Sequence, residues 1–287
     1  MSLLRTADLV SRARAAGTGV AAFNVITLEH ARAVAAAAEL TGLPAIIAVS
    51  QNAVRYQGSL APLSAACAAI AHESDAELAL HLDHVDDFAL VEQAAAHGYG
   101  SVMFDASRLP HDENVAATAR AARLLHAEGL WLEAELGEIG GKDGVHSATA
   151  RTDPAEAAEF TRLTGVDALA VAVGSSHAMT EQSARLDHAL ITELRDAVPV
   201  PLVLHGSSGV ADTDLRRAVT CGMTKINIGT QLNVAFSDAV RNPPVTGLPV
   251  DPRRWLTPAR DAVTAAAARL LRVVAAPADR TAGARCA

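Results

Sequence analysis

Apolar positions fall into eight short runs along the chain. They are VAAFNV (20–25), AIIAVS (45–50), LALHLDH (78–84), SVMFDAS (101–107), LWLEAEL (130–136), DALAVAV (167–173), PLVLHG (201–206) and TKINIG (224–229). Each is too short for a buried helix and continuous enough for a strand covered on both faces. Segments with helical spacing lie between them, for instance LEHARAVAAAAELTG (28–42), DFALVEQAAAHG (87–98), DENVAATARAARLLHAEG (112–129) and DPAEAAEFTRLTG (153–165), each stopping at glycine. Repeats of roughly 25–35 residues predict βα units with parallel strands. Eight such units predict an α/β protein built as a closed (β/α)8 TIM barrel, whose ordinary size is about 250 residues. A doubly wound open sheet is the alternative, weakened because no GxGxxG turn follows the first run.

The leading MSLLRTADLVSRARAAG is too charged for a signal peptide and reads as an amphipathic helix. No apolar run approaches the roughly 20 residues that span a bilayer. NPPVTGLPVDPRRW (242–255) reads as a loop leading to a final helix over 257–275, and residues 279–287 as a frayed tail. No linker divides the chain, so residues 1–287 are expected to form a single domain with an extra C-terminal helix.

Half of the 287 residues are hydrophobic but only 3% are aromatic, so the core is built from Ala, Val, Leu and Ile. The net charge of −8, with no block of Lys or Arg, argues against nucleic acid as a partner. Three widely spaced cysteines without a CxxC fit a reduced, cytoplasmic protein in which Cys67 and Cys221 are small core residues.

The active site of such a barrel lies at the C-terminal ends of its strands. Those ends carry Asn24, Ser50, Asp83 and His84, Asp105, Glu133 and Glu135, His177, His205, and the segment NIGTQ. Among the histidines, His30, His72, His97, His111, His126 and His188 fall in helices or loops and are expected to be solvated. His81 reads as a hydrogen-bonded interior residue in preference to a ligand. His84, His177 and His205 project from separate strand ends, and three converging imidazoles form an open divalent-metal site. Asp105 and Glu135 either orient those imidazoles or offer a second metal position. GSSG (206–209) and NIGT (227–230) present small residues and backbone amides ahead of helices, as a phosphate site does.

AFNV, HLDH, SVMFDAS, EAELGEIGG, AVAVGSSHA, PLVLHGSSG, KINIGT and DPRRW occur in this order with these spacings. Together they resemble the class II, metal-dependent ketose-bisphosphate aldolases, over residues 1–275 and with the tagatose-type branch nearest. The resemblance implies cleavage of a fructose or tagatose 1,6-bisphosphate to dihydroxyacetone phosphate and glyceraldehyde 3-phosphate. It implies one catalytic Zn2+ on His84, His177 and His205, with a second divalent or monovalent cation at Asp105 and Glu135 left open. Asp83 would be the acid/base serving the C4 hydroxyl. Asn24, Ser50, Ala178, Gly206, Ser207, Ser208, Asn227, Ile228, Gly229 and Thr230 would hold dihydroxyacetone phosphate. Arg253 would grip the second phosphate, from a neighbouring subunit of a homodimer or homotetramer. Two departures stand out. Ala178 replaces a glycine common in the family, and Lys142 and Asp143 replace acidic residues in the loop 137–153 that carries a proton donor in some members, leaving Asp143 a weak candidate.

Three other readings compete. One is a Schiff-base aldolase, for which Lys225 is the sole plausible nucleophile because the chain's other lysine is Lys142. Another is a related aldolase for a phosphorylated deoxy-keto acid of inositol catabolism. A third is a non-catalytic partner subunit of a tagatose-type enzyme, against which the retention of all three histidines and Asp83 argues.

Overall fold

The computed structural model describes residues 3–136, 151–176, 182–242 and 250–276. In chain order the elements are α1 (Thr6–Ala16), β1 (Val20–Asn24), α2 (Leu28–Thr41), β2 (Ala45–Ser50), α3 (Gln51–Gln57), α4 (Ala61–Glu73), β3 (Leu78–Val85) and α5 (Phe88–Gln93). Next come β4 (Ser101–Phe104), α6 (His111–Ala127), β5 (Trp131–Glu135), α7 (Pro154–Thr164), β6 (Ala168–Ala170) and α8 (His188–Ala197). β7 (Leu202–Leu204), α9 (Asp212–Cys221), β8 (Met223–Ile228), α10 (Thr230–Arg241) and α11 (Arg253–Ala275) complete the chain.

The eight strands pair in sequence order, all parallel, and β8 closes on β1 with Val20 opposite Lys225. This is the TIM barrel. α1 packs Leu9, Val10 and Ala13 against Val20, Ala22, Ile46 and Ala79, residues near the N-terminal ends of β1, β2 and β3. Burying Leu9 and Val10 stabilises that closure by roughly 1.5–3 kcal/mol each. The alanine-rich inner face of α2 lets α11 pack closely upon it. Cys67 is a free buried thiol, whose burial pushes its pKa up to about 12. Cys221 is equally buried, a small core residue as expected.

Three expectations change. The last helix begins at Arg253 and contains Pro258. Pro258 lies past the first turn, so it gives up the hydrogen bond to the Arg254 carbonyl and crowds that carbonyl, while the helix runs on to Ala275. His30 and His188 are buried, not solvated. His30 stacks on Phe236 with centroids 4.8 Å apart and bonds Thr27, while His188 pairs with Asp214 at 2.5 Å. Among the described residues no helix is long and apolar enough to cross a membrane.

Candidate active site

Side chains alternate along a strand, so consecutive residues ordinarily face opposite ways. Asp83 and His84 escape this rule at the end of β3. The β3–β4 register shifts between Leu82 and Val85, and His84 takes the left-handed conformation at φ 49°. For a non-glycine residue that conformation costs on the order of 1 kcal/mol. Gln51 holds the turn beyond. Its Oε1 accepts from the amides of Asp86 and Asp87 at 3.1 and 3.3 Å, and its Nε2 donates to the Asp86 carboxylate at 2.5 Å.

Asp83 is buried, and both its oxygens accept amide hydrogen bonds: Oδ2 from Asn24 at 2.7 Å and Oδ1 from Asn227 at 3.1 Å. Burial alone would raise its pKa. The charge of His84, with His81 and His205, outweighs that and holds the carboxyl well below its usual range. Burial pulls His84 down, but Asp83, Asp105 and Glu135 prevail and raise it to about 9. Its Nδ1 lies 3.2 Å from Asp105 Oδ2. His205 packs edge-on against His84, with ring centroids 4.7 Å apart, and burial lowers its pKa.

Beneath these groups, Glu133 Oε1 accepts from His205 Nε2 at 2.8 Å, and its Oε2 lies 2.7 Å from Lys225 Nζ. Burial would raise the Glu133 pKa, yet Lys225 and His205 bring it to about 2. Lys225 is fully buried and donates also to Asn227 Oδ1 at 2.6 Å. That leaves it unsuited as a Schiff-base nucleophile, which must reach a substrate carbonyl. His81 is the interior residue expected, with Nδ1 2.7 Å from Ser101 Oγ.

The ligand atoms of Asp83, His84 and His205 lie within 4.8 Å of one another, as do those of His84, Asp105 and Glu135. These two groups share His84, so the carboxylates of Asp105 and Glu135 adjoin that imidazole. His177 and Ala178 lie outside the described residues, as do Lys142, Asp143 and His146.

A cavity of about 300 Å³ opens over this cluster. Asn24, Ser50, Asp83, His84 and His205 line it, together with Gly206, Ser207, Ser208, Asn227, Gly229 and Thr230. Ser50 also caps α3, accepting from the Ala53 amide at 3.2 Å. Ser207 Oγ donates to the Asn227 carbonyl at 2.5 Å, and Ser208 Oγ accepts from the Gln231 amide at 3.2 Å, so the loops after β7 and β8 are stitched together. Ile228 is not in the lining. It faces the apolar core, as alternation after inward-facing Asn227 requires. Arg253 is not in the lining either, and its exposed guanidinium pairs with Asp251 at 2.7 Å. Ile26, Asn52 and Asn233 line the cavity without having been expected. A larger cavity of about 400 Å³, between α2, α4 and α11, adjoins neither metal-capable cluster.

The sequence pattern of the family described as fructose-bisphosphate aldolase class II matches residues 4–278. The chain belongs to that family. It is therefore an aldolase, a lyase. It is similar to a fructose-bisphosphate aldolase of Geobacillus stearothermophilus, 36% identical over 92% of this chain and 94% of the relative. A probable fructose-bisphosphate aldolase of Bacillus subtilis is also 36% identical, over the same shares. Among solved structures, the YdjI aldolase of Escherichia coli K12 superposes with a TM-score of 0.84 at 31% identity, covering 96% of this chain and 98% of that one. A putative fructose-1,6-bisphosphate aldolase from Coccidioides immitis also gives 0.84, at 28% identity, covering 96% and 97%.

Proposed function

We propose that this protein is a zinc-dependent aldolase that reversibly cleaves a ketose 1,6-bisphosphate to dihydroxyacetone phosphate and glyceraldehyde 3-phosphate. The observation carrying this reading is the meeting of Asp83, His84 and His205 within 4.8 Å at the mouth of the barrel. The donor set suits zinc, which takes imidazole nitrogen and carboxylate oxygen. His84 and His205 would hold the ion, with His177 as the third ligand. Because His205 donates Nε2 to Glu133, its Nδ1 is the atom that would bind. When bound, the ion supplies Lewis-acid stabilisation of several kcal/mol to the charge left on the ketone half.

Asp83 takes the proton of the C4 hydroxyl as the C3–C4 bond breaks, and the C4 half departs as an aldehyde. Its depressed pKa keeps it ionised, and the amides of Asn24 and Asn227 fix the carboxylate's plane. Gly206, Ser207 and Ser208, with Gly229 and Thr230 at the start of α10, would receive the phosphate of dihydroxyacetone phosphate, where backbone amides and the helix dipole favour an anion. Ser50 and Asn24 would border the same substrate half. Arg253, exposed and paired only with its near neighbour Asp251 in what the structure describes, would meet the second phosphate in a neighbouring subunit of a homodimer or homotetramer.

Side-by-side assays of the fructose and tagatose 1,6-bisphosphates, with and without chelator, test the proposal. Chelator-sensitive cleavage of either supports it, and the ratio of the two rates assigns the epimer. Cleavage of neither by zinc-loaded protein defeats it.

A further inference from the structure

Lys225 is fully buried and touches two acceptors. Its Nζ donates to Asn227 Oδ1 at 2.6 Å and lies 2.7 Å from Glu133 Oε2. Asn227 in turn donates to Asp83 Oδ1 at 3.1 Å. An ammonium can only donate and an ionised carboxylate can only accept. The Asn227 amide therefore has a single orientation that satisfies both neighbours, with its oxygen on Lys225 and its NH2 on Asp83. Without the cation the amide loses one of its two anchors, and only the Asp83 carboxylate is left to hold it. Glu133 holds the cation in place while gripping His205 with its other oxygen. We propose that Lys225 is a positioning residue for the aldol step, acting through the Asn227 amide to hold Asp83 in the orientation that receives the substrate proton. The proposal deepens the reading above and rests on Asp83 being the base.

Zinc-loaded Lys225→Met, assayed on the ketose bisphosphate that the wild type cleaves, is expected to lose roughly 10–100-fold in kcat with KM changed less than about 3-fold. The double variant Lys225→Met/Asn227→Ala is expected to fall no further than Asn227→Ala, since both changes break one chain of contacts. Lys225→Gln, which keeps a donor for Asn227, is expected to recover part of the loss. A crystal structure of Lys225→Met is expected to show the Asn227–Asp83 hydrogen bond broken. Any of three results overturns the proposal: kcat within about twofold of wild type, losses that multiply in the double variant, or the hydrogen bond intact. If Lys225→Met does not fold, Lys225→Met/Glu133→Gln, in which neither member of the buried pair is charged, is compared with Glu133→Gln by the same measurements. Asp83→Ala run alongside separates the two claims. Near-wild-type kcat in Asp83→Ala defeats the base assignment, whereas its collapse beside an unimpaired Lys225→Met defeats only the role of Lys225.

Discussion

Asn24, at the end of β1, donates a 2.7 Å hydrogen bond to Asp83, at the end of β3, across a strand that pairs with both. The contact spans β2 because both side chains point into the closed barrel, where curvature brings next-but-one strands together. It holds the carboxylate proposed as the base, so the first expectation concerns Asp83. Asp83→Ala should leave zinc bound while cutting cleavage by roughly 10²–10⁴-fold, the range for a lost general base. Metal analysis and steady-state rates on the same preparation check it. Loss of zinc with the activity would instead make Asp83 a ligand.

His84→Ala, His177→Ala and His205→Ala should each lower zinc content and activity together. His205→Ala also strands the buried pair of Glu133 and Lys225 beside an empty space, so its melting temperature should fall below that of His84→Ala, whose ring is partly exposed. Metal content and thermal unfolding of the three variants are the measurements. Full zinc in any one removes that residue from the ligand set.

Gly206 follows His205 at φ 65°, and a Cβ there would lie 2.6 Å from the backbone of Ser176. Both strain and clash oppose a side chain, so Gly206→Ala should lower stability by about 1–3 kcal/mol. Denaturant unfolding measures this, and an unchanged midpoint would show that the loop after β6 yields.

Burial of Lys225 carries an expectation about covalent chemistry. Borohydride added with substrate should leave the protein's mass unchanged. A stable adduct on Lys225 would reinstate the Schiff-base reading.

The architecture was legible because strands covered on both faces read as unbroken apolar runs. β6 is shorter than its run, since beyond Ala170 the backbone turns to other partners, with Ala172 N bonding Thr152 Oγ1 and Val173 O accepting from Asp187 N. The polar rim was legible as well, and it held Asp83, His84 and His205. The joining of Lys225 to Glu133 was not. The two lie on non-adjacent strands, and only barrel closure and register bring them within 2.7 Å. One signal was available: a lone lysine inside an otherwise largely apolar strand must find a buried acid. The lining residues Asn52 and Asn233 sit on helices just past β2 and β8, where strand-end reading does not look.

Zinc titration of chelator-stripped protein, with cleavage of both epimeric bisphosphates followed at each addition, tests the central claim most directly. The account predicts no cleavage without metal and activity that rises in proportion to zinc until the site is full. Cleavage that persists in the stripped protein, or that never returns as zinc binds, would contradict it.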